Sequence, residues 1–372
     1  MISPRTRTGG YLVAETIDSI RAVQLQDGMI PWFRGGHADP WNHVESAMAL
    51  TVGGALRDAE RAYQWLRSTQ RPDGSWHTYY LESGEVEEPR LDTNVCAYVA
   101  TGVWHYFLVT KDLGFLEDLW TSVERAIDFV LRWQRPGGEL TWSVDPDGRP
   151  AAYGLLTGSC SGYFSLRCAI ACASELGRER PDWELAAGRL RHAVASNESG
   201  FARKDEFAMD WYYPVLVGAL DAATASDRID ERWSEFVIEQ RGVRCVSVQP
   251  WVTAAETAEC AIALCAIGRR DEAAGLLGWA RQHRWPDGSY STGVVYPEQS
   301  TYPPGERSSY TAAAMVLAED ALSELSPAAQ LFVDGALPRG FDLETGSLLS
   351  TRRLPQRAES SSANSPELSA RL

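Results

Sequence analysis

The segment Arg244–Gly268, RCVSVQPWVTAAETAECAIALCAIG, decides the fold. Its first residues alternate in polarity, and Gln249 and Pro250 predict a turn into a helix, because proline suits the first helical turn. Ala, Ile and Leu then occupy nearly every face, which predicts a helix that is buried all round. Glu256 and Glu259 lie inside this apolar stretch, and a buried carboxylate needs a partner, a water-filled cavity or a catalytic task.

The same arrangement recurs along the chain at roughly 50-residue intervals, a spacing typical of repeat architectures. About twelve predicted helices alternate between an amphipathic kind and a kind that is apolar nearly all round. Hairpins with a buried inner helix and a half-exposed outer helix close naturally into a ring. The sequence therefore predicts an all-α fold, an (α/α)6 toroid. An open solenoid is the alternative, but it would normally need polar caps at both ends.

The pattern divides the 372 residues into four segments. Residues 1–9 are predicted to be a flexible arm before a first helix at Tyr11–Gln24, and residues 10–325 are predicted to form the barrel domain. Residues 326–356 have weaker periodicity, and we expect them to pack on the barrel as an extension. Residues 357–372 are polar and serine-rich, which predicts a disordered tail.

The composition bounds the possible partners. Hydrophobic residues make up 44% of the chain, which is enough for a large core. The net charge of −15 argues against nucleic acid or an anionic membrane as a partner, because both attract Lys and Arg. The 14 Trp and 14 Tyr residues could fill the core or provide stacking surfaces in a cleft.

The cysteine pattern argues against a metal site and for a reducing compartment. Five of the seven cysteines lie in apolar helical runs, and they are Cys96, Cys168, Cys172, Cys260 and Cys265. There is no Cys-x-x-Cys motif and no Cys/His zinc spacing, so we expect neither a metal nor another cofactor. Buried reduced thiols, with no apolar signal segment near the N-terminus, predict a cytoplasmic protein. No apolar run approaches the roughly 20 residues that cross a membrane.

The N-terminal ends of the predicted inner helices should meet at one mouth of the ring. The six ends are Asp39–Glu45, Leu91–Asn94, Gly158–Ser161, Met209–Tyr213, Gln249–Glu256 and Glu306–Tyr310, and all except Gly158–Ser161 carry an acid. Helix capping alone could account for Asp39, Asp92 and Ser159. Capping does not account for the aromatic residues at the same places.

Aromatic rings beside carboxylates at one rim are typical of a carbohydrate site, where sugars stack on rings and sugar hydroxyls bond to acids. The partner that this pattern predicts is an oligo- or polysaccharide. The predicted substrate-binding residues are Trp41, His43, Asp92, Asn94, Asp210, Trp211, Tyr212, Trp251, Glu306 and Tyr310. His43 lies one helical turn after Asp39, where it could hold that acid or bind a hydroxyl. A single histidine on a helix is, however, more often structural.

Hydrolysis of a glycosidic bond needs two carboxyl groups, which are about 6.5–9.5 Å apart in inverting enzymes and about 5–5.5 Å apart in retaining ones. An apolar helix wall can raise the pKa of a carboxyl group, so Glu256 is the predicted general acid. A buried glutamate paired with Arg or Tyr is the structural alternative. Glu259 is secondary because it lies on another face. The predicted base is Asp39, followed by Asp210 and Asp92.

Four loops resemble the Q-x-x-x-G-x-W repeat of squalene–hopene cyclases and prenyltransferase β-subunits. The clear copies are Gln70–Trp76 and Trp285–Tyr290, and the weaker copies are Gln24–Ile30 and Gln134–Leu140. The resemblance implies an α/α toroid over most of residues 10–325. The functional motifs of those enzymes do not carry over. The D-x-D-D motif is absent, and no histidine follows His283 to complete a prenyltransferase zinc site.

The segment Asp39-Pro-Trp-Asn-His43, together with Pro250-Trp-Val-Thr-Ala-Ala-Glu256, is similar to sequences of the actinobacterial hydrolases of methylmannose polysaccharide, which are (α/α)6 glycoside hydrolases. The resemblance implies cleavage of internal α-1,4-mannosidic links in the cytoplasm. It also implies that Asp39 and Glu256 are the catalytic pair.

Two other functions fit the same scaffold. A terpene cyclase or prenyltransferase would need a dry aromatic chamber and a basic pyrophosphate site, but only Arg34, Arg90 and Arg307 are expected near the rim. A non-catalytic carbohydrate-binding protein would lack two carboxyl groups at catalytic separation.

Overall fold

Helices form most of the computed structural model, which describes residues 4–333, 337–343 and 347–348. The tail predicted at residues 357–372 lies outside the described residues. The helices are α1 (Pro4–Arg21), α2 (Pro40–Val52), α3 (Leu56–Thr69), α4 (Thr93–Ala97), α5 (Val99–Thr110), α6 (Leu113–Leu131), α7 (Leu156–Glu175), α8 (Pro181–Ser196), α9 (Ala208–Leu216), α10 (Ala222–Phe236), α11 (Ala254–Ala266), α12 (Arg270–Ala280) and α13 (Ser309–Ser323).

Short antiparallel strands lie in the loops and at their junctions with the helices. They are β1 (His37–Ala38), β2 (Tyr79–Leu81), β3 (Val86–Glu88), β4 (Leu91–Asp92), β5 (Ser143–Val144), β6 (Val237–Ile238), β7 (Gly242–Val243), β8 (Trp251–Thr253), β9 (Gly293–Val295), β10 (Ser300–Thr301), β11 (Phe341–Asp342) and β12 (Ser347–Leu348). The sheets β1-β2-β3 and β10-β9-β8 connect loops that lead to the inner helices.

The helices form two concentric rings. The inner ring consists of α2, α4 with α5, α7, α9, α11 and α13, and the outer ring consists of α1, α3, α6, α8, α10 and α12. Helix α13 packs against both α11 and α2, which closes the inner ring. The predicted toroid is therefore confirmed, and the open solenoid is not what the chain forms.

The hydrophobic pattern explains the position of each helix. In α3 the residues Ala59, Ala62, Tyr63 and Leu66 are buried at the spacing of one helical face, and the opposite face is polar. In α11 every residue from Thr257 to Cys265 is buried, whereas the first turn, nearest the mouth, is partly exposed. An amphipathic helix lies outside, and a helix that is apolar all round lies inside.

Some predicted helix ends are wrong. Helix α11 begins at Ala254 rather than Pro250, because Trp251–Thr253 are aromatic and β-branched residues that pair with β9. Helix α1 begins at Pro4 rather than Tyr11. Helix α9 ends at Leu216, and Gly218 follows with a positive φ of 63°.

The Q-x-x-x-G turns fasten neighbouring outer helices to each other. The Nε2 amide of Gln70 donates to the carbonyls of Gly74, at 3.0 Å, and Ser122 of α6, at 2.9 Å. Gly74 has a φ of +96°, and a Cβ atom there would overlap the Arg125 carbonyl oxygen. Gln134 repeats the arrangement, with bonds to the carbonyls of Gly138 and Ala186 of α8. The repeated motif therefore has a structural role in the toroid.

The described part of the C-terminal extension packs against α7. The guanidinium of Arg167, which is buried, donates to the carbonyls of Leu337 and Pro338. Phe332 stacks on Phe164 with ring centroids 5.0 Å apart. The seven cysteines are all free thiols. Among the described residues, no helix combines the length and the hydropathy that crossing a bilayer requires.

Candidate active site

A cleft lies at the mouth of the ring, where the N-terminal ends of the inner helices meet. It has a larger arm of about 480 Å³ and a smaller arm of about 200 Å³. Four residues line both arms, and they are Trp32, Trp41, Asn42 and Met209. We therefore treat the two arms as one continuous cleft.

Both predicted catalytic acids line this cleft, one in each arm. Asp39 lies in the larger arm, directly before α2, and Glu256 lies in the smaller arm, in the first turn of α11. Trp41 and Asn42, which line both arms, are shared walls between them. The ring thus brings together two acids that are far apart in the sequence.

Asp39 is a buried carboxylate that three N–H groups hold in place. Its Oδ2 accepts from Trp32 Nε1 at 2.7 Å and from Asn42 Nδ2 at 2.7 Å, and its Oδ1 accepts from the Asn42 amide at 3.0 Å. The last bond is an N-cap of α2, so capping and a role in the cleft coexist at this residue. Burial raises the pKa of Asp39 above its ordinary value, although the three donors oppose the shift.

Glu256 is half-buried and faces the smaller arm beside Trp251 and Tyr310. Trp251 is fixed by a bond from its Nε1 to the Tyr302 carbonyl at 3.1 Å. The thiol of Cys245 lies next to Glu256. Burial, and then the charge of Glu256, raise the pKa of that thiol. No Lys or Arg forms an ion pair with Glu256 in the described part of the chain, so this acid is not neutralised by a base.

The larger arm contains two further acids and an amide from the predicted set. Asp92 caps α4 through the amides of Asn94 and Val95, and burial raises its pKa to about 6. Asp210 accepts from the backbone N–H and the hydroxyl of Thr157. The Oδ1 atom of Asn94 is buried without a protein partner, which leaves it able to accept a hydrogen bond from a ligand.

His43 is a structural residue, contrary to the prediction that it binds substrate. It is fully buried below the cleft, where its Nδ1 accepts from the Ile30 amide at 3.0 Å and its Nε2 lies 2.9 Å from the Ala62 carbonyl. Both ring nitrogens are therefore occupied. Burial lowers the pKa of His43 to about 4, so the ring is neutral near pH 7.

Three other predicted substrate-binding residues do not line the cleft. Trp211 is buried against Phe236 and donates to the Arg228 carbonyl at 2.8 Å. Tyr212 is buried, with its hydroxyl on Glu259. Glu306 accepts from Thr292 at 2.8 Å and lines a separate outer cavity. By contrast, Trp41, Trp251 and Tyr310 line the cleft as the sequence predicts, and their roles in binding stay predictions.

The cleft also contains residues that the sequence analysis did not single out. Trp142 and Tyr79 lie in the larger arm, and the Arg90 guanidinium lies 4.6 Å from the centre of the Trp142 ring. Their loops show no helical periodicity, so the sequence gives little signal for them. Glu45 is the other omission. It is four residues after Trp41 on the same helical face, a spacing that could have indicated it.

The polarity of the cleft argues against a terpene chamber. The smaller arm is lined by three glutamates, Glu45, Glu256 and Glu259, beside its aromatic rings, so it is not a dry aromatic chamber. Basic residues in the larger arm are limited to Arg90 and Lys204, beside Asp39, Asp92 and Asp210. A pyrophosphate group would meet more negative than positive charge there.

A protein of known activity is similar to this chain along nearly its whole length. The chain is 49% identical, over 330 residues, to a protein from Mycolicibacterium hassiacum named MMP endo-(1,4)-3-O-methyl-alpha-D-mannosidase. The match covers 89% of this chain and 91% of that relative. No protein-family model matches the chain.

Solved structures share the fold at low sequence identity. A wild-type glycosidase superposes with a TM-score of 0.69 and 14% identity, over 88% of this chain and 100% of that one. The GH63 mannosylglycerate hydrolase of Thermus thermophilus, in complex with Tris and D-glycerate, superposes with a TM-score of 0.65 and 12% identity. That match covers 83% of this chain and 99% of the hydrolase. At these identities the structures establish the toroidal fold alone.

Proposed function

Since the chain is a glycoside hydrolase that belongs to the family of the MMP endo-(1,4)-3-O-methyl-alpha-D-mannosidase, we propose that it cleaves internal α-1,4 links between 3-O-methylated mannose residues of a polysaccharide. The observation that carries the proposal is 49% identity along nearly the whole length of both chains. The acid- and aromatic-lined cleft supports it, because sugars need both ring-stacking surfaces and hydroxyl acceptors.

The lining of the cleft suits a methylated sugar. The larger arm combines the apolar side chains of Val95, Leu155 and Met209 with the rings of Trp142 and Phe207. A methyl ether has lost the hydroxyl donor of the parent sugar, so apolar contact is the favourable environment for it. The acids in the same arm remain available to the unmethylated hydroxyls.

In the proposed reaction, Glu256 is the general acid and Asp39 is the general base. Glu256 gives its proton to the glycosidic oxygen as the bond from that oxygen to C1 breaks. Asp39 accepts a proton from the water whose oxygen attacks C1 from the opposite side. The three N–H donors on Asp39 stabilise its ionised form, which is the form that a base requires. Water attack by this route inverts the anomeric configuration.

The test is incubation of the protein with a 3-O-methylated α-1,4-mannan, followed by mass spectrometry of the products. We expect oligosaccharides of intermediate length, with the reducing ends initially in the β configuration by NMR. An α-1,4-glucan of similar length is the control, and we expect it to remain uncut. Release of monosaccharide alone would contradict the internal cleavage, and an uncut mannan would contradict the proposed substrate.

The cellular location stays a prediction. The cytoplasmic assignment rests on the thiol-rich sequence, and it agrees with the seven free cysteines. Fractionation of the producing cells would test it.

A further inference from the structure

Two buried glutamates form the floor of the smaller arm. Glu45 of α2 is 6% exposed and Glu259 of α11 is 9% exposed, and both line the cavity beside Glu256. The proposed acid–base chemistry uses neither of them. Their side chains come from two inner helices that are distant in the sequence, so only the closed ring places them together.

Neutral donors, rather than cations, bind this pair. Glu45 Oε1 accepts from Trp41 Nε1 at 3.0 Å and from the Tyr98 hydroxyl at 3.2 Å. Glu259 accepts from the hydroxyls of Tyr213, at 3.1 Å on Oε1, and Tyr212, on Oε2. Among the described residues, neither glutamate forms an ion pair with Lys, Arg or His. The pair is therefore held by neutral hydrogen-bond donors alone, and no cation would balance its negative charge when it ionises.

The neighbouring charges on the pair are also negative. Burial, followed by repulsion from Glu259, raises the pKa of Glu45 well above its ordinary value, and the charge of Asp39 adds to the effect. Burial is the main cause that raises the pKa of Glu259, and the charge of Glu256 acts in the same direction. Two buried carboxyl groups in one cavity oppose each other's ionisation, and a positive charge beside them would favour their ionised form.

Two buried carboxyl groups without a cation lack the positive charge that would stabilise their ionised form. The missing positive charge can come from the reaction. In glycoside hydrolysis the transition state resembles an oxocarbenium ion, with positive charge on the sugar ring. Negative groups that are fixed in place before the reaction stabilise such a developing charge.

The geometry points to a specific role for the floor. We propose that Glu45 and Glu259 act as an anionic floor that stabilises the positive charge of the sugar in the transition state. The inference rests on the proposed glycosidase function, which it deepens. Trp41 connects the floor to the cleft, since it lines both arms while its indole N–H is bound to Glu45.

The alternative is that the two glutamates only fasten helices to each other. Glu45 would fasten α2 to Tyr98, which lies between α4 and α5, and Glu259 would fasten α11 to α9. The two roles predict different ligand selectivity. A fastening role would weaken the binding of cationic and neutral sugars equally, because it changes only the shape of the cleft. An anionic floor would weaken the binding of cationic sugars selectively.

The experiment compares two ligands of matched shape by calorimetry. Deoxymannojirimycin carries a protonated nitrogen in its ring, and 1,5-anhydromannitol carries a neutral oxygen at the same position. The quantity measured is the ratio of their dissociation constants in the wild type, Glu45→Gln and Glu259→Gln. We expect each variant to lose roughly tenfold or more of the preference for the cation, because a charge at close range is removed.

Asp320→Asn is the matched control. Asp320 is also a buried carboxyl group with a pKa raised by burial, to about 6, but it lies in the last turn of α13, away from the mouth. It binds the backbone N–H and the hydroxyl of Ser326. We expect this variant to keep the wild-type ratio, even if its melting temperature changes.

The outcomes separate this inference from the proposed function. If the wild type cuts the methylated mannan and both carboxamide variants fold but keep the wild-type ratio, the anionic floor is wrong and the glycosidase proposal stands. If the wild type does not cut the mannan, the proposed function itself fails. If the carboxamide variants do not fold, the ratio of dissociation constants is measured in Tyr213→Phe instead. It keeps the ring and removes one donor to Glu259, and an unchanged ratio there would overturn the inference.

Discussion

The outer turns and the mouth of the ring differ in what their sequences reveal. The Q-x-x-x-G turns are the clearest repeated motif in the chain, and their glutamines and glycines fasten one outer helix to the next. The mouth has no repeated motif, yet it gathers Asp39 and Glu256 into one cleft. The comparison indicates that the repeated motif belongs to the scaffold, whereas the helix ends without a repeated motif hold the proposed catalytic acids.

The largest expected effect that would test this separation is at Glu256. We expect Glu256→Gln to lower the turnover of the mannan by about 10²–10⁴-fold, because the amide cannot donate a proton to the leaving oxygen. The melting temperature should stay close to that of the wild type, since Glu256 is half-buried and has no ion-pair partner among the described residues. Turnover and thermal melting, measured on the same preparation, check both parts.

The matched control for Glu256 is Glu306→Gln. Glu306 also precedes an inner helix, but it lines a separate outer cavity. We expect near wild-type turnover. A loss as large as that of Glu256→Gln would show that acidity of the rim, rather than one general acid, supports the activity.

The next largest effect is expected at an outer turn. Gly74→Ala places a Cβ atom against the Arg125 carbonyl at a φ of +96°, so we expect a loss of at least about 2 kcal/mol in the free energy of unfolding. The turnover per folded molecule should not change. Chemical denaturation and turnover below the melting transition are the measurements.

Gly84→Ala separates packing from backbone strain. Gly84 has a similar φ of +84°, but no atom lies near the added Cβ. It should lose clearly less stability than Gly74→Ala. Equal losses would mean that the contact with α6 does not contribute.

The pH dependence of activity sharpens the comparison, because it should originate in the mouth alone. Burial raises the pKa of Asp39, and a base acts only when ionised. We expect kcat/KM to fall about tenfold per pH unit on the acid side, beginning above the ordinary aspartate pKa of about 3.9.

The fold should survive the same acidification. A carboxyl group with a raised pKa in the folded state binds protons more readily there than in the unfolded chain, so protonation of Asp39 does not destabilise the fold. Circular dichroism across the same pH range checks this. If kcat/KM stays constant as the pH falls to the ordinary aspartate pKa, Asp39 is not the base.

The smallest effect is expected at a turn glutamine. Gln70→Ala removes two hydrogen bonds to backbone carbonyls, one of which connects to α6, and we expect a loss of about 1 kcal/mol in the free energy of unfolding. Gln282→Ala is the control, because its exposed amide also donates to a backbone carbonyl, that of Gln240. If Gln282→Ala costs as much as Gln70→Ala, the fastening role of the turn is wrong.

The fold could be predicted because the hydrophobic residues that become buried recur periodically in the sequence. Amphipathic α3 and the nearly apolar α11 differ in composition in the way that outer and inner helices must. The helix boundaries were harder to predict. Helix α11 starts late because Trp251–Thr253 pair with β9, a strand that is distant in the sequence. The division of the chain into arm, barrel, extension and tail stays a prediction.

The candidate site could be predicted only in part. Successive residues of a helix are about 100° apart, so neighbouring residues at a helix entry cannot all face the cleft. Asp210 lines the larger arm, whereas Trp211 and Tyr212 are buried behind it. The Glu45–Glu259 pair could not be predicted, because its meaning depends on two helices that meet only in the ring.

The most direct test of the central claim is a crystal structure of Glu256→Gln with a 3-O-methylated α-1,4-mannan oligosaccharide bound. We predict that the sugar crosses from the larger arm to the smaller arm. The side chain of residue 256 should lie within hydrogen-bonding distance of one glycosidic oxygen, with Asp39 facing the C1 atom of the same link from the other side. A sugar bound outside the cleft, or one that leaves Asp39 and residue 256 on different links, would contradict the account.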